Sequence, residues 1–381
     1  MSAKGLTGEQ VAAWRFERQG LLRRKGKEDW LDAVRKIGGV HAQVMSAAEL
    51  AIGARADDIQ PEHIQRALWE EKTLAKTWAM RGTLHLLPSD AMPGTLSGLR
   101  ESMSAFYRRP SWLAHHGVTQ EQMDAISDGL RSRLGSEPLT REQLAEEIVA
   151  HTGHESLREL LLSGWGALLK PAAHEGLLCF GPSQGQNVTF VRPESWLPKW
   201  REPAESTEAL LREAGRHYLS VFGPALYEDF GRWWGIDPSK AKKVFRSLEG
   251  DIVSVPVDGR EAWALRSTVE DIRAASIPDN TVRLLPHFDP YTVSLSHRSD
   301  YVLAEQHKPL VYRNQGWIYP VVLVNGRMAG NWELEKNRNQ IELKVEWFDS
   351  SSKMKPAIRA GLEDEAARLA AFYDTDIIMR G

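Results

Sequence analysis

The sequence predicts an α+β protein: three successive units of helices closed by a β-hairpin, then a β-rich tail. Three observations carry that prediction. Helix-period segments followed by two strand-like runs across a turn recur three times before Ile272. After Ile272 the grammar changes to short strand-like runs, two of them separated by the tight-turn pair Asn325-Gly326. The chain then returns to helical spacing over Pro356–Tyr373, with Ile358, Leu362, Leu369 and Phe372 on one face.

In the first unit, helical patterns run over Gly8–Gln19 and Glu28–Ile37, and Gly38-Gly39 stops the second. Ser46-Ala47-Ala48-Glu49 reads as a capping box opening a third helix, and Pro61–Glu71 as a fourth with proline in its first turn. Thr77–Met80, Arg81-Gly82 and Thr83–Leu86 read as strand, turn and strand, closed by Pro88. In the second unit, Thr119–Leu134 and Thr140–His151 are each opened by a threonine cap, and Leu157–Ala173 follows as a third helix. Its hairpin is Leu177–Phe180 with Val188–Val191. In the third unit, helices are expected at Thr207–Phe222, Ala225–Gly235 and Pro238–Leu248, and Asp258-Gly259 turns Ile252–Val257 into Ala262–Leu265. The tail reads as strands at Thr281–Leu285, Val302–Leu303, Trp317–Val324, Met328–Leu334 and Ile341–Phe348, a small antiparallel sheet or partial barrel.

Helices ending in a hairpin are the winged-helix form of the helix-turn-helix, the hairpin being the wing. The expected regions are 1–110, 111–203 and 204–272 for the three winged helices and 273–381 for the β-rich region with its terminal helix. Three such units in tandem suggest a large surface facing nucleic acid.

Composition bounds the rest. At 381 residues the chain can bury a full core without metals or disulfides. Cys179 is the single cysteine, which fits a reducing cytoplasm. No apolar run approaches the roughly 18 residues a bilayer requires, and the polar start MSAKGLTGEQ lacks the apolar core of a signal peptide. A cytoplasmic, nucleoid-associated bacterial protein with no membrane partner is expected. The net charge of −3 at first argues against nucleic acid. Arginines nevertheless outnumber lysines two to one, and an average hides local cationic spots. The expectation is one positive face and binding that weakens steeply with salt.

Several chemical signals fail on inspection. Gly181-Pro182-Ser183-Gln184-Gly185 has the spacing of a nucleophile elbow, but a strand follows it where a helix is required. His151 with His154, and His115 with His116, lack the companions of a metal site, so neither a metal nor another cofactor is expected. No phosphate-binding glycine loop opens a helix after a strand. Val40-His41-Ala42-Gln43-Val44 remains, between a glycine stop and a cap. In an extended segment the period of two puts His41 and Gln43 on one face and Val40, Ala42 and Val44 on the other. Such a pair can hold one water; it can equally satisfy backbone groups in a buried turn.

The stretches GGVHAQVMSAAELAIGAR and LWEEKTLAKTWAMRGTLHLLP, with LLPHFDPYTVSLSHR and VLVNGRMAGNWE downstream, resemble the AlkZ/YcaQ-like winged-helix DNA glycosylases over nearly the whole chain. The resemblance implies tandem winged helices forming a concave DNA-binding channel, a β-rich C-terminal region, and removal of alkylated bases, with interstrand crosslinks unhooked by some members. The family's catalytic motif is Gln–aliphatic–Gln or Gln–aliphatic–Asp. It falls here on His41, Ala42 and Gln43, so the second glutamine is kept and a histidine replaces the first, a variant form within the AlkZ-like branch. The expected enzyme hydrolyses the N-glycosidic bond of N7- or N3-alkylated purines. Gln43 would position the water through its carbonyl and amide, and His41 would orient it or take its proton. With no lysine in the motif, a monofunctional reaction without a Schiff base is expected.

The expected DNA contacts are Arg81, Thr83 and His85 on the first wing, Arg108 and Arg109 in the linker after it, and Lys240, Lys242, Lys243 and Arg246 on the recognition helix of the third unit. Asp289 of HFDPY reads as a turn cap. The partner is double-stranded DNA with alkylated bases, and a monomer is expected. The rival class is a winged-helix regulator that binds DNA without catalysis.

Overall fold

In the computed structural model, residues 5–163, 166–295, 299–337, 340–349 and 356–379 are described, and the chain is mixed α+β, 51% helix and 19% strand. The end of the HFDPY block, Ser296 to Arg298, and Trp165 of the expected third helix of the second unit lie outside the described residues. Two compact units divide the chain. One comprises residues up to Ile64, Gly215–Phe230 and everything from Phe245; the other comprises Gln65–Ala214 and Gly231–Val244.

Local chemistry sets several helix starts as expected. Thr7, Thr119 and Thr140 each accept a backbone N–H from the glutamine three residues on, whose side chain returns the bond, so Gly8–Arg18, Gln120–Arg133 and Arg141–Thr152 all open with reciprocal capping boxes. The helices Thr207–Phe222 and Pro356–Tyr373 fall on their expected residues.

In the first unit, the end of the chain forms a five-stranded sheet in the order Ile377–Met379, Gln340–Trp347, Arg327–Asn337, Val321–Val324, Val282–Leu285. Only the Ile377–Met379 pairing is parallel, and the sheet curls as a half-barrel. Phe16, Leu21 and Ala54 from the start of the chain share a core with Leu285, Val321 and Leu323 of that sheet. Leu6, Val11 and Trp14 pack with Val255, Ala264 and Ile272 of the hairpin Ile252–Val257 and Arg260–Leu265 and the helix behind it. That hairpin turns at Asp258 and Gly259, both in the left-handed region, as a two-residue loop requires.

Glu365 ties the terminal helix to this sheet. It is 2% exposed, accepts the Leu284 N–H at 3.1 Å, and is surrounded by Arg24, Arg368 at 3.2 Å and Arg283 at 3.7 Å. Burial alone would push its carboxyl up; Arg368, Arg24, Arg283 and the Leu284 N–H outweigh that and hold it below the ordinary glutamate value. A carboxyl depressed by folding contributes stability that is present above the unfolded pKa of about 4.3 and is lost as pH falls through the folded value. Thermal unfolding followed by circular dichroism should therefore show a stability loss below about pH 4.3 that is shallower in Glu365→Gln. An identical acid slope in that variant removes Glu365 as a source.

The second unit holds a core of Trp78, Ile126, Leu130, Leu144, Ile148, Leu169, Leu178 and Phe190. The hairpin strands are Leu74–Trp78 and Leu84–Pro88, so the first strand lies three residues earlier than expected. Leu74, Ala75, Thr77 and Trp78 are all buried, which erases the alternation that marks a half-exposed strand. Met92–Tyr107, 16 residues long, is a helix in a stretch where no element was expected, ahead of the linker residues Arg108 and Arg109. Its Gly94 and Gly98 lower helix propensity, yet a Cβ at Gly98 would sit a tight 3.3 Å from Trp234, so packing favours a small residue there. The expected helix Leu157–Ala173 is broken into Leu157–Leu162, a 3₁₀ turn at Ala167–Leu169 and Lys170–His174. Gly166 at φ 73° and Pro171 at the start of the last piece are the local reasons. Ser183 lies one residue before the end of the hairpin strand Cys179–Gln184, and the partner strand Asn187–Val191 follows, which is no setting for a nucleophile elbow. In the tail, Val302 and Leu303 are buried in a turn rather than a strand, and Trp317–Val324 shortens to Val321–Val324.

Candidate active site

Gly38 and Gly39, at φ 75° and 104°, end the helix Trp30–Lys36 in a conformation that side chains avoid, and redirect the chain into the short strand Val40–His41. Val40 and Ala42 are buried at 0% and 1% and anchor the segment; His41 is half-buried and Gln43 exposed. Val44 is half-exposed, so the alternation holds through Gln43 and then gives way. The helix Met45–Gly53 opens after an extended Val44 with no side-chain cap, and Ser46 lies inside its first turn. The expected capping box is not formed: Glu49 is buried, as is every residue from Ala47 to Gly53. Burial on all sides replaces the cap as the force that places this helix.

The His41 ring stacks on Phe288, with centroids 4.7 Å apart and planes 26° from parallel. Phe288 sits at φ 57°, a costly conformation for a bulky side chain that persists only when its surroundings impose it. Asp289 imposes it. Its carboxylate takes a two-pronged bond from Arg55, at 2.7 and 2.8 Å, and accepts the Tyr291 N–H at 2.8 Å, capping the turn Pro290–Val293. Both Asp289 and Arg55 are fully buried, and Arg55 also donates to the Ala51 carbonyl at 2.7 Å, so the fork is fixed to the end of the Met45–Gly53 helix. Asp289 is thus the turn cap expected from the sequence and also the buttress of the residue that contacts His41. Phe288 and Arg55 were not legible as site residues, since neither carries a motif of its own.

Immediately beyond Gln43 lies a cleft of about 610 Å³, whose lining includes Val44, Ser46, His287, Tyr319, Trp332 and Lys344. Its volume is in the range of small-molecule sites.

A cationic group on the same unit escaped sequence reasoning. Burial, then Arg18, Lys25 and Arg23, lower the Lys36 ammonium to about 8. Positive charges held this close favour an anion among them. The signal was the loop run Arg23-Arg24-Lys25-Gly26-Lys27 just before the glycine-stopped helix.

The expected catalytic and DNA-contact residues fall in both units. His41, Gln43 and Arg246 belong to the first unit; Arg81, Thr83, His85, Arg108, Arg109, Lys240, Lys242 and Lys243 belong to the second. At the hairpin tip Arg81 is at φ 60°, and its guanidinium points inward, donating to the Trp233 carbonyl and lying 3.4 Å from His85 Nε2. His85 is 2% exposed, with Nδ1 donating to the Thr83 carbonyl at 2.9 Å, while Leu84 is half-exposed. Thr83 and His85 alternate with Leu84 and Leu86 in the sequence, yet no polar edge forms, because His85 and Leu86 are both buried. Thr83 Oγ1 donates to the Met80 carbonyl at 3.0 Å. Arg108 and Arg109 are exposed, the latter over the Phe106 ring at 5.3 Å. Lys240 is held by Glu101 and Ser102 at 3.0 and 3.2 Å, whereas Lys242, Lys243 and Arg246 are exposed on the same helix, Pro238–Ser247. Among the described residues no group of three or more metal-ligating side chains occurs, and no helix is long and apolar enough to cross a membrane.

The family described as DNA glycosylase AlkZ-like matches residues 34–372. The interstrand DNA cross-link repair glycosylase of Streptomyces sahachiroi is 37% identical over 369 residues, 95% of each chain. The solved structure of the Streptomyces sahachiroi DNA glycosylase AlkZ superposes with a TM-score of 0.88 at 34% identity, covering 100% of both chains. A match that spans the strand, the His41–Gln43 segment and the Phe288 buttress alike places this chain in the AlkZ-like family of DNA glycosylases.

Proposed function

We propose that this DNA glycosylase is monofunctional and hydrolyses the N-glycosidic bond of N7- or N3-alkylated purines in duplex DNA, with Gln43 placing the water and His41 taking its proton. The observation that carries the reading is the His41–Ala42–Gln43 segment itself. Val40 and Ala42 are buried as anchors, His41 is held against Phe288, and Gln43 is exposed to solvent beside them.

Alkylation at N7 or N3 makes the purine cationic, so it leaves without being protonated. What the protein adds is a positioned nucleophile and proton acceptance. Gln43 offers a carbonyl acceptor and an amide donor, which orient a water without titrating. As the C1′–N bond breaks, its electron pair stays with the base; water oxygen bonds to C1′, and the imidazole of His41 accepts the released proton. General-base help of this kind contributes about 10²–10⁴-fold. The cations around Lys36, with Lys242, Lys243 and Arg246, supply candidate phosphate contacts. The name of the Streptomyces sahachiroi relative extends the proposal to interstrand crosslinks, whose alkylated purines pose the same bond to the same water.

The test is to incubate the protein with duplex DNA carrying N7-methylguanine or a nitrogen-mustard crosslink. Free base and alkali-labile abasic sites are the expected products. A DNA-binding regulator would retain the duplex and yield neither.

A further inference from the structure

We infer that the cleft beside Gln43 is a stacking site for an unpaired purine, with His287 and Tyr319 in its lining and the exposed Trp317 ring, against His287, extending that aromatic wall. The inference deepens the glycosylase reading and rests on it.

Trp317 and Tyr319 are 39% and 38% exposed, among the few large apolar side chains left in solvent. They are not scattered. Trp317 meets Phe288 edge-on at 5.0 Å and His287 at 5.3 Å, and Tyr319 meets His287 at 5.7 Å. Phe288 in turn stacks on His41. A continuous run of rings therefore leads from the proposed proton acceptor to the cleft that His287 and Tyr319 line. His287 is fixed within it, since Nδ1 donates to the Ile318 carbonyl at 2.9 Å and leaves Nε2 as the remaining polar atom of the ring. The Arg313 guanidinium lies 5.0 Å over the Tyr319 ring, so one face of that ring already carries a cation.

An exposed tryptophan and tyrosine contribute little to folding, and each leaves more than a third of its surface to solvent. Every purine has a π-face, and stacking on an aromatic side chain is tolerant of base identity. An alkylated purine is cationic as well, which strengthens its attraction to a ring face. The cleft is of ligand-site size and begins one residue after Gln43, so a purine stacked there keeps its glycosidic bond near the segment that would hold the water.

The experiment measures single-turnover release of N7-methylguanine against enzyme concentration for wild type, Trp317→Ala, Tyr319→Ala and Trp317→Phe. Stacking on one ring is worth about 1–3 kcal/mol, roughly 5- to 150-fold in affinity. Trp317→Ala should accordingly raise the half-saturating concentration about tenfold with the saturated rate retained, and Trp317→Phe should restore it. Half-saturation unchanged in both alanine variants overturns the proposal, as does a phenylalanine variant no better than alanine. A parallel titration with duplex carrying 2-aminopurine at the target position reads stacking directly, as fluorescence quenching lost in Trp317→Ala. Wild type that quenches 2-aminopurine but releases no methylated base overturns the glycosylase reading alone. Wild type that releases base with no quenching overturns the stacking site alone.

Discussion

Gln43→Ala should lower single-turnover release of N7-methylguanine by about 10²–10⁴-fold while duplex affinity stays at the wild-type level. The expected separation of chemistry from binding follows from position. Gln43 is exposed and the segment is anchored by Val40 and Ala42, so truncating its side chain removes the water's partner without disturbing the fold. His41→Ala should give a loss of similar size with an added feature: the Phe288 ring loses its stacking partner, which near-ultraviolet circular dichroism or ring-current shifts of the Phe288 protons can register. His41→Gln recreates the family's other form of the motif. It retains a group that can orient water but not one that takes a proton, and its rate should fall between wild type and His41→Ala. Release by Gln43→Ala at the wild-type rate would falsify the proposed role of this segment.

Asp289→Ala should destabilise the protein by about 3–5 kcal/mol, the cost typical of removing one partner from a buried ion pair. The variant would leave the Arg55 guanidinium in a site with no exposure and the Tyr291 N–H without its acceptor. Denaturant unfolding of wild type and variant measures the difference; a loss under about 1 kcal/mol would mean that water reaches the site and solvates Arg55. The same substitution should also slow base release in whatever fraction remains folded, since Phe288 holds its left-handed backbone only while the fork is closed. Asp289→Asn, which keeps shape and one acceptor but loses the charge, should recover part of the stability.

Much of this architecture was legible in the residues. Thr–x–x–Gln boxes at Thr7, Thr119 and Thr140, the Asp258-Gly259 turn and the apolar spacing of Pro356–Tyr373 are local signals, and local signals survive folding. The misplaced elements share one cause, that burial on both faces or a close neighbour overrides propensity. Leu74–Trp78 lost its alternation to packing, Met92–Tyr107 carries Gly98, which makes room for Trp234, and Met45–Gly53 dispensed with the Ser46 cap because Ala47 to Gly53 are all buried. The candidate site divides in the same way. His41 and Gln43 were found because a polar pair between a glycine stop and a helix is unusual in any sequence. Arg55 and Phe288 were invisible because what they do depends on Asp289, more than two hundred residues away from Arg55 along the chain. The inward turn of Arg81 belongs to the same class, since no pattern around it announces the Trp233 carbonyl that it meets.

Cys179, the single thiol, lies in a strand of the second unit with no exposure, and burial pushes its pKa far up. Only thiolate is strongly nucleophilic, so this sulfur is both protonated and out of reach. On the proposed function, the reagents that alkylate guanine would meet this protein too, and soft sulfur is ordinarily their preferred target. Here that target has been withdrawn: the chain's one thiol offers such a reagent no open sulfur.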